Sequence, residues 1–204
     1  MIKKEVLIFI RTFFYTIFVD VKMKKEKQIV SSNQFGIMIE RLAHQLIENH
    51  SDFSDTVLVG LQPRGVEFAT RISDKLKEIS TNKNIKLGSL DITFFRDDFG
   101  RRDVPIQAQE LDMNFSIEGK KVVLIDDVLF TGRSIRSAMD ALMSFGRAEE
   151  VELMVLIDRR LKRHLPIQPN YVGKTVDSIQ SEKVIVKWKS ENSDDEIILL
   201  KSEE

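Results

Sequence analysis

The chain has no cysteine among its 204 residues, which excludes a disulfide framework and any thiolate metal site and is compatible with a reducing compartment. Histidine is scarce. His44, His50 and His164 stand without metal-ligand spacing and read as surface or packing residues. An excess of one charge is lacking too: 31 basic against 32 acidic residues leave a net charge of -1. Nothing global therefore draws the protein to nucleic acid or an anionic membrane, and any such contact has to come from a local patch. There is no internal repeat and no low-complexity tract. The one strongly hydrophobic run, "VLIFIRTFFYTIFV" from Val6 to Val19, falls short of the roughly 20 residues of a spanning helix, and Arg11 interrupts it. The "DVKMKKEK" that follows offers no small-residue cleavage site. Residues 1–22 are accordingly expected to be an extension, non-native or disordered, with Met23 as the working start and 23–204 as the domain. A weak membrane anchor or an extra helix or strand is the alternative. No membrane partner is expected, and the expected location is the cytoplasm.

What is present is ordinary for a soluble globular protein: 42% hydrophobic and 31% charged residues, enough for one sizeable core. In "FGIMIERLAHQLIEN", Phe35, Met38, Leu42 and Leu46 recur at helical spacing. "TVLVGLQ" is a short buried strand that stops at "PRG". A second helix follows on Val66, Ala69, Ile72, Leu76 and Ile79. "IKLGSLDITFF" is rich in strand formers and leads into "RDDFGRRDVPIQAQELD", a long polar stretch of the kind that is often functional. The unbroken apolar run of "KKVVLIDDV" predicts a strand covered on both faces. Ile135, Ala138, Met139 and Leu142 mark a third helix, with Gly146 as its cap. "EVELMVLID" is another buried strand, and "KVIVKW" and "EIILL" are short late ones. Strands alternating with helices predict an α/β fold with a central parallel sheet flanked by helices. Ligands of such sheets lie beyond the carboxyl ends of the strands. The segments "QPRG", "RDDFGRR", "DDVLFTGRS" and "DRRLKRH" all follow predicted strands, so they should gather on one edge.

The most informative stretch is "VVLIDDVLFTGRS", Val122 to Ser134. Thr131, Gly132, Arg133 and Ser134 stand where strand turns into helix. Unsatisfied amides there, together with the helix dipole, favour an anion. The hydroxyls of Thr131 and Ser134 add donors. A plain helix cap would look the same if it stood alone. Asp126 and Asp127 decide between the two, because acids at the end of a buried strand need cations or several hydroxyl donors. A vicinal diol one ribose away from a bound phosphate supplies such donors, and Mg²⁺ can supply charge. The stretch fits a ribose 5-phosphate. "GLQPRG" resembles a Walker A loop only superficially, since Val66-Glu67 stands where Lys-Ser/Thr is required, and no dinucleotide-binding fingerprint is present. Gln62, Pro63, Arg64 and Gly65 remain as a tight turn with amides and a guanidinium for a second anion, or as an ordinary βα turn.

"VVLIDDVLFTGRS" resembles the phosphoribosyl-pyrophosphate (PRPP) motif of type I phosphoribosyltransferases. The flanking "LDITFFRDD", "SAMDAL", "VLIDR", "LPI" and "YVGK" are similar to the pyrimidine operon attenuator/uracil phosphoribosyltransferase family, PyrR, over about Phe35 to Trp188. The resemblance implies a type I phosphoribosyltransferase fold with a small hood subdomain. It also implies the reaction of uracil with PRPP to UMP and pyrophosphate, with Mg²⁺ as cofactor. By the same resemblance the segment Val128, Leu129, Phe130, Thr131, Gly132, Arg133, Ser134 holds the 5-phosphate. Asp126 and Asp127 take the ribose hydroxyls and possible metal contacts, Gln62 to Gly65 hold the pyrophosphate with Arg64 stabilising it, and Arg96, Asp97 and Asp98 begin a mobile loop. Purine-using relatives carry an acid just before Thr-Gly. Phe130 stands there in this chain, which favours a pyrimidine. Asp158, Arg159 and Val186 are positional candidates for reading the base.

The family's second activity is binding of pyrimidine leader mRNA, for which Arg41 and His44 on the first helix and Arg160, Lys162 and Arg163 are the candidates. Here the chain departs from the usual Asp-Arg-Gly-His-Arg-Glu by reading "DRRLKRHLPI", one residue longer, and Glu40 beside Arg41 would repel phosphate. DNA is not an expected partner; the family suggests a homo-oligomer, dimer or tetramer. The rival readings are an RNA-binding attenuation regulator with vestigial enzyme activity and a purine phosphoribosyltransferase.

Overall fold

The computed structural model describes residues 25–95, 113–192 and 194–201. The extension at 1–22 and the loop residues Arg96, Asp97 and Asp98 lie outside them. The described residues divide into a larger unit within 32–179 and a smaller one formed by 25–31 and 180–201.

The larger unit is built on a parallel sheet of β2 (Thr56–Leu61), β3 (Lys86–Leu90), β4 (Lys121–Leu129), β5 (Glu150–Arg159) and β6 (Tyr171–Val176) in the order β3-β2-β4-β5-β6. Every residue of β2 is buried, as expected for a strand with neighbours on both sides and cover on both faces. Helix α1 (Ser32–His50) turns the predicted stripe of Phe35, Met38, Leu42 and Leu46 inward together with Ile39. Each such side chain contributes roughly 1.5–3 kcal/mol when fully buried. Helix α2 (Gly65–Ile79) connects β2 to β3, and α3 (Arg133–Leu142) connects β4 to β5. Ile135, Ala138, Ala141 and Leu142 of α3 join Val59, Leu61, Val122, Leu124 and Leu129 in one core.

The predicted strand over "IKLGSLDITFF" ends early, at Leu90. Asp91 accepts hydrogen bonds from the Thr93 amide (2.8 Å) and the Thr93 hydroxyl, and the chain turns into a short 3-10 segment, Thr93–Phe95. A local side-chain turn outcompetes the strand ladder there. Gly146, at φ 126°, closes the 3-10 turn Met143–Phe145 that extends α3.

Among the described residues, one polar network crosses the amino-end side of the sheet. Buried His50 lies 3.0 Å from the Thr56 hydroxyl through Nδ1 and 2.7 Å from the Glu152 carboxylate through Nε2. The Tyr171 hydroxyl donates to Glu152 (3.1 Å) and accepts from Asn49 Nδ2 (2.9 Å). Buried polar groups are stable only when partnered in this way.

The smaller unit is an antiparallel sheet of β1 (Lys25–Val30), β7 (Lys183–Lys187) and β8 (Glu196–Lys201), with β8 in the middle. "KVIVKW" and "EIILL" are strands as expected. No helix among the described residues is long and apolar enough to cross a membrane.

Candidate active site

The strand order places a divergence between β2 and β4. From β2 the chain runs through α2 to β3 on one side, and from β4 through α3 to β5 on the other. The turns that leave the carboxyl ends of β2 and β4 therefore flank a crevice, the usual ligand position in open α/β sheets. Both predicted anion-binding turns sit on it.

The β2 turn begins at Gln62, whose amide donates to Leu90 O (3.0 Å) and whose Nε2 donates to the Ser89 hydroxyl (3.0 Å), while the Gln62–Pro63 peptide is cis. Arg64, half exposed, sits at the start of α2 and reaches across the crevice to donate from Nε to Asp127 Oδ2 at 2.9 Å. Gly65 explains how the two turns come so close. A β-carbon there would stand 2.5 Å from Ile125 O and 3.0 Å from Asp126 Cα, so α2 presses directly on the β4 backbone.

Asp126 and Asp127 occupy the last part of β4. Asp126 Oδ1 accepts the Asp127 amide at 2.9 Å. Burial pushes the Asp126 carboxyl well above the ordinary range, and the neighbouring Asp127 charge adds to this. Burial raises Asp127 as well, while Arg64 pulls it back. One guanidinium half exposed to water compensates this acidic pair only in part. Among the described residues no group of three or more His, Cys, Asp or Glu side chains could hold a metal. The pair thus offers two hard oxygen ligands, which suits a Mg²⁺ ion that draws most of its remaining shell from substrate oxygens and water.

The turn after β4 differs from the sequence expectation in extent. Val128 and Leu129 belong to the strand: Val128 pairs with Ile157, and Leu129 is buried in the core. The phosphate-sized turn is formed by Phe130, Thr131, Gly132, Arg133 and Ser134. Gly132 occupies the cap position of α3 at φ 91°, a backbone geometry suited to glycine, and no side chain caps the helix. The Thr131 hydroxyl lies 3.4 Å from the Arg133 amide, too long for an effective cap.

The β5 end contributes contacts that sequence reasoning did not find. Arg159 is buried, donating from Nε to the Ser178 hydroxyl (2.7 Å) and from Nη2 to Ile179 O (3.0 Å), with its guanidinium carbon 3.9 Å from the Phe130 ring centre. Arg160 forms a two-point pair with Asp177, the Nη2–Oδ2 arm at 2.8 Å. Arg163 pairs with Asp158 and donates to Phe130 O at 2.8 Å. The basic run is thus divided: Arg159 and Arg163 are largely withdrawn from solvent with partners inside the protein, while Arg160, paired with Asp177, and Lys162 and His164 are exposed. On α1, Arg41 donates to Val172 O (2.9 Å) and Gly173 O (2.7 Å) of β6, and His44 is exposed. Val186 lies on β7 of the smaller unit, whereas Asp158 and Arg159 end β5 of the larger one.

The phosphoribosyl transferase domain family matches residues 25–191. The "Bifunctional protein PyrR" of Actinobacillus pleuropneumoniae serotype 5b is 40% identical over 179 residues, 88% of this chain and 99% of that protein. Its namesake in Chloroflexus aurantiacus is 41% identical over 179 residues, 88% and 97% of the respective chains. The chain belongs to the PyrR family. Solved structures agree on the fold: the hypoxanthine phosphoribosyltransferase of Trypanosoma cruzi superimposes with a TM-score of 0.65 over 87% of this chain and 97% of its own, at 16% identity. That of Staphylococcus aureus gives 0.60 over 74% and 77%, at 22% identity. This PyrR-family chain has the type I phosphoribosyltransferase fold.

Proposed function

We propose that the protein transfers the phosphoribosyl group of PRPP to uracil, yielding UMP and pyrophosphate. The observation that carries this reading is the pairing of Asp127 with Arg64 across the crevice, with Asp126 beside it and the uncapped Gly132 turn at the end of the same strand. In this reading the Thr131–Ser134 amides and hydroxyls hold the 5-phosphate, and the two aspartates accept hydrogen bonds from the ribose diol. Arg64 faces the pyrophosphate as it leaves. The transition state has the character of a ribosyl cation separating from pyrophosphate, so orientation and charge stabilisation supply the rate enhancement. Asp126 and Asp127 would be the ligands from this chain for Mg²⁺, which would supply positive charge against the departing pyrophosphate. Phe130 in place of an acid supports a pyrimidine, because its ring, stacked beneath Arg159, cannot relay a proton to a purine nitrogen.

The test is incubation with PRPP, Mg²⁺ and a panel of bases. UMP is the expected product. Formation of GMP or IMP without UMP would overturn the base assignment. Regulation through a pyrimidine leader mRNA is the second reading, supported by the word "bifunctional" in the relatives' name and by the exposed His44 and Lys162. Retention of leader RNA no stronger than of a scrambled RNA at physiological salt would remove it.

A further inference from the structure

The turn that follows β5 holds the backbone of the turn that follows β4, and it does so at two consecutive carbonyls. Arg163 Nη1 donates to Phe130 O at 2.8 Å, and the amides of His164 and Leu165 both donate to Thr131 O, at 3.0 and 3.3 Å. Three donors within three residues thus draw Phe130 O and Thr131 O to the same side. Among the described residues only the Gln62–Pro63 bond is cis, so the peptides on either side of Thr131 are trans. In a trans peptide the N–H points opposite to the C=O. The amides of Thr131 and Gly132 must therefore point away from the β5 turn, side by side. The left-handed Gly132 leads from them into the first amides of α3. Successive parallel amides of this kind form an anion-binding concavity.

Arg163 is the side-chain member of this set. Its side chain is 18% exposed and that of its partner Asp158 is 14% exposed, so the guanidinium is held in place by an ion pair largely removed from water. A planar guanidinium can serve both a carboxylate and a carbonyl at fixed angles, which an ammonium cannot do.

We propose that Arg163 is a positioning residue for the 5-phosphate: by holding the Phe130 carbonyl, it aims the Thr131 and Gly132 amides at the phosphate before substrate arrives. This deepens the phosphoribosyltransferase reading and rests on it. A residue in the basic run thereby acts on the phosphate of the sugar through the backbone, without touching it.

The experiment uses full-length protein and the variants Arg163→Gln and Arg163→Lys. Binding of UMP and of inorganic pyrophosphate is titrated calorimetrically, and KM is measured for PRPP and for uracil. For Arg163→Gln the expected result is UMP binding weakened at least tenfold and KM for PRPP raised to match, with pyrophosphate affinity and KM for uracil within twofold of the unaltered protein. Arg163→Lys should lie between the two. Loss of UMP and pyrophosphate binding together in a folded variant would show a merely structural role and overturn the proposal, as would UMP binding that stays within twofold. Should Arg163→Gln fail to fold, the same comparison is read from Arg163→Lys, where threefold weaker UMP binding with unchanged pyrophosphate is expected. Absence of UMP binding by the unaltered protein would remove the phosphoribosyltransferase reading, and this proposal with it.

Discussion

Substituting Gly65 by alanine tests the crevice without altering any charge or hydrogen-bonding side chain. The added β-carbon would stand 2.5 Å from Ile125 O, and real contacts essentially never fall below 3.0 Å, so something must move by at least half an ångström. The obstacles nearest to it are backbone atoms of β4, not the tip of a flexible side chain. The start of α2 must therefore retreat from β4, taking Arg64 away from Asp127. Overpacking of this kind costs about 1–3 kcal/mol. For a chain of this size that corresponds to a fall in Tm of about 2–12 °C. Turnover should suffer more than stability, because a displacement approaching 1 Å at a reacting centre costs up to about a hundredfold; a tenfold to hundredfold fall in kcat is expected. The assay is UMP formation beside a thermal melt. The internal reference is Gly36→Ala in α1, where a β-carbon meets nothing within 4 Å. That change should stabilise the protein by about 0.5–1 kcal/mol and leave turnover alone. A Gly65→Ala protein that melts and turns over like the parent would refute the claim that close approach of α2 to β4 shapes the site.

Asp126→Asn should raise the Tm of the ligand-free protein at neutral pH while lowering turnover by about ten- to hundredfold, since hydrogen bonds to a charged group contribute about 1.5–3 kcal/mol. The sign follows from the raised carboxyl: its contribution to stability is full below the ordinary value of 3.8 and is lost as pH rises through the elevated pKa, so the parent's Tm should fall over that interval and the variant's should fall less. Tyr171→Phe should cost about 1–3 kcal/mol in a denaturant titration by removing the hydroxyl's hydrogen bonds to Asn49 and the Glu152 carboxylate. Burial chiefly pushes that phenol up to about 12, so the stability it lends is full below pH 10 and is lost toward pH 12; an ultraviolet titration showing ionisation near 10 would contradict the network. A protein beginning at Met23 should match the parent in solubility and UMP formation, and insolubility of the shortened form would place residues 1–22 within the fold.

The elements legible in the sequence were those with a strong pattern. The apolar runs before Asp126 and Asp158 and the stripes on α1 and α2 state their structure locally, because burial on one or two faces imposes a period. The placing of "QPRG" and "DDVLFTGRS" on one crevice followed from strand–helix alternation. Strands β1, "KEKQIV", and β6, "YVGKTV", escaped: their exposed positions carry lysine, glutamate and threonine, so no clean alternation survives. Pairings between distant residues were equally hidden. Arg64 and Asp127 stand 63 positions apart, and no local rule joins them. The partners of Arg159, Arg160 and Arg163, namely Ser178, Asp177 and Asp158, were hidden in the same way, because a run of arginines does not say locally which of them pair within the protein. Charge in a sequence signals a need for a partner, but does not say whether that partner is inside or outside.

The middle position of β8 in the small sheet has a consequence for how the protein is made. β1 is paired with β8, Lys25 opposite Lys201, and β7 borders the same strand from the other side. On the ribosome the earliest of these strands emerges with no sheet neighbour, and it keeps none until β8, Glu196–Lys201, has been synthesised. The parallel core between them can assemble in the meantime, whereas the small sheet is necessarily a late product of translation.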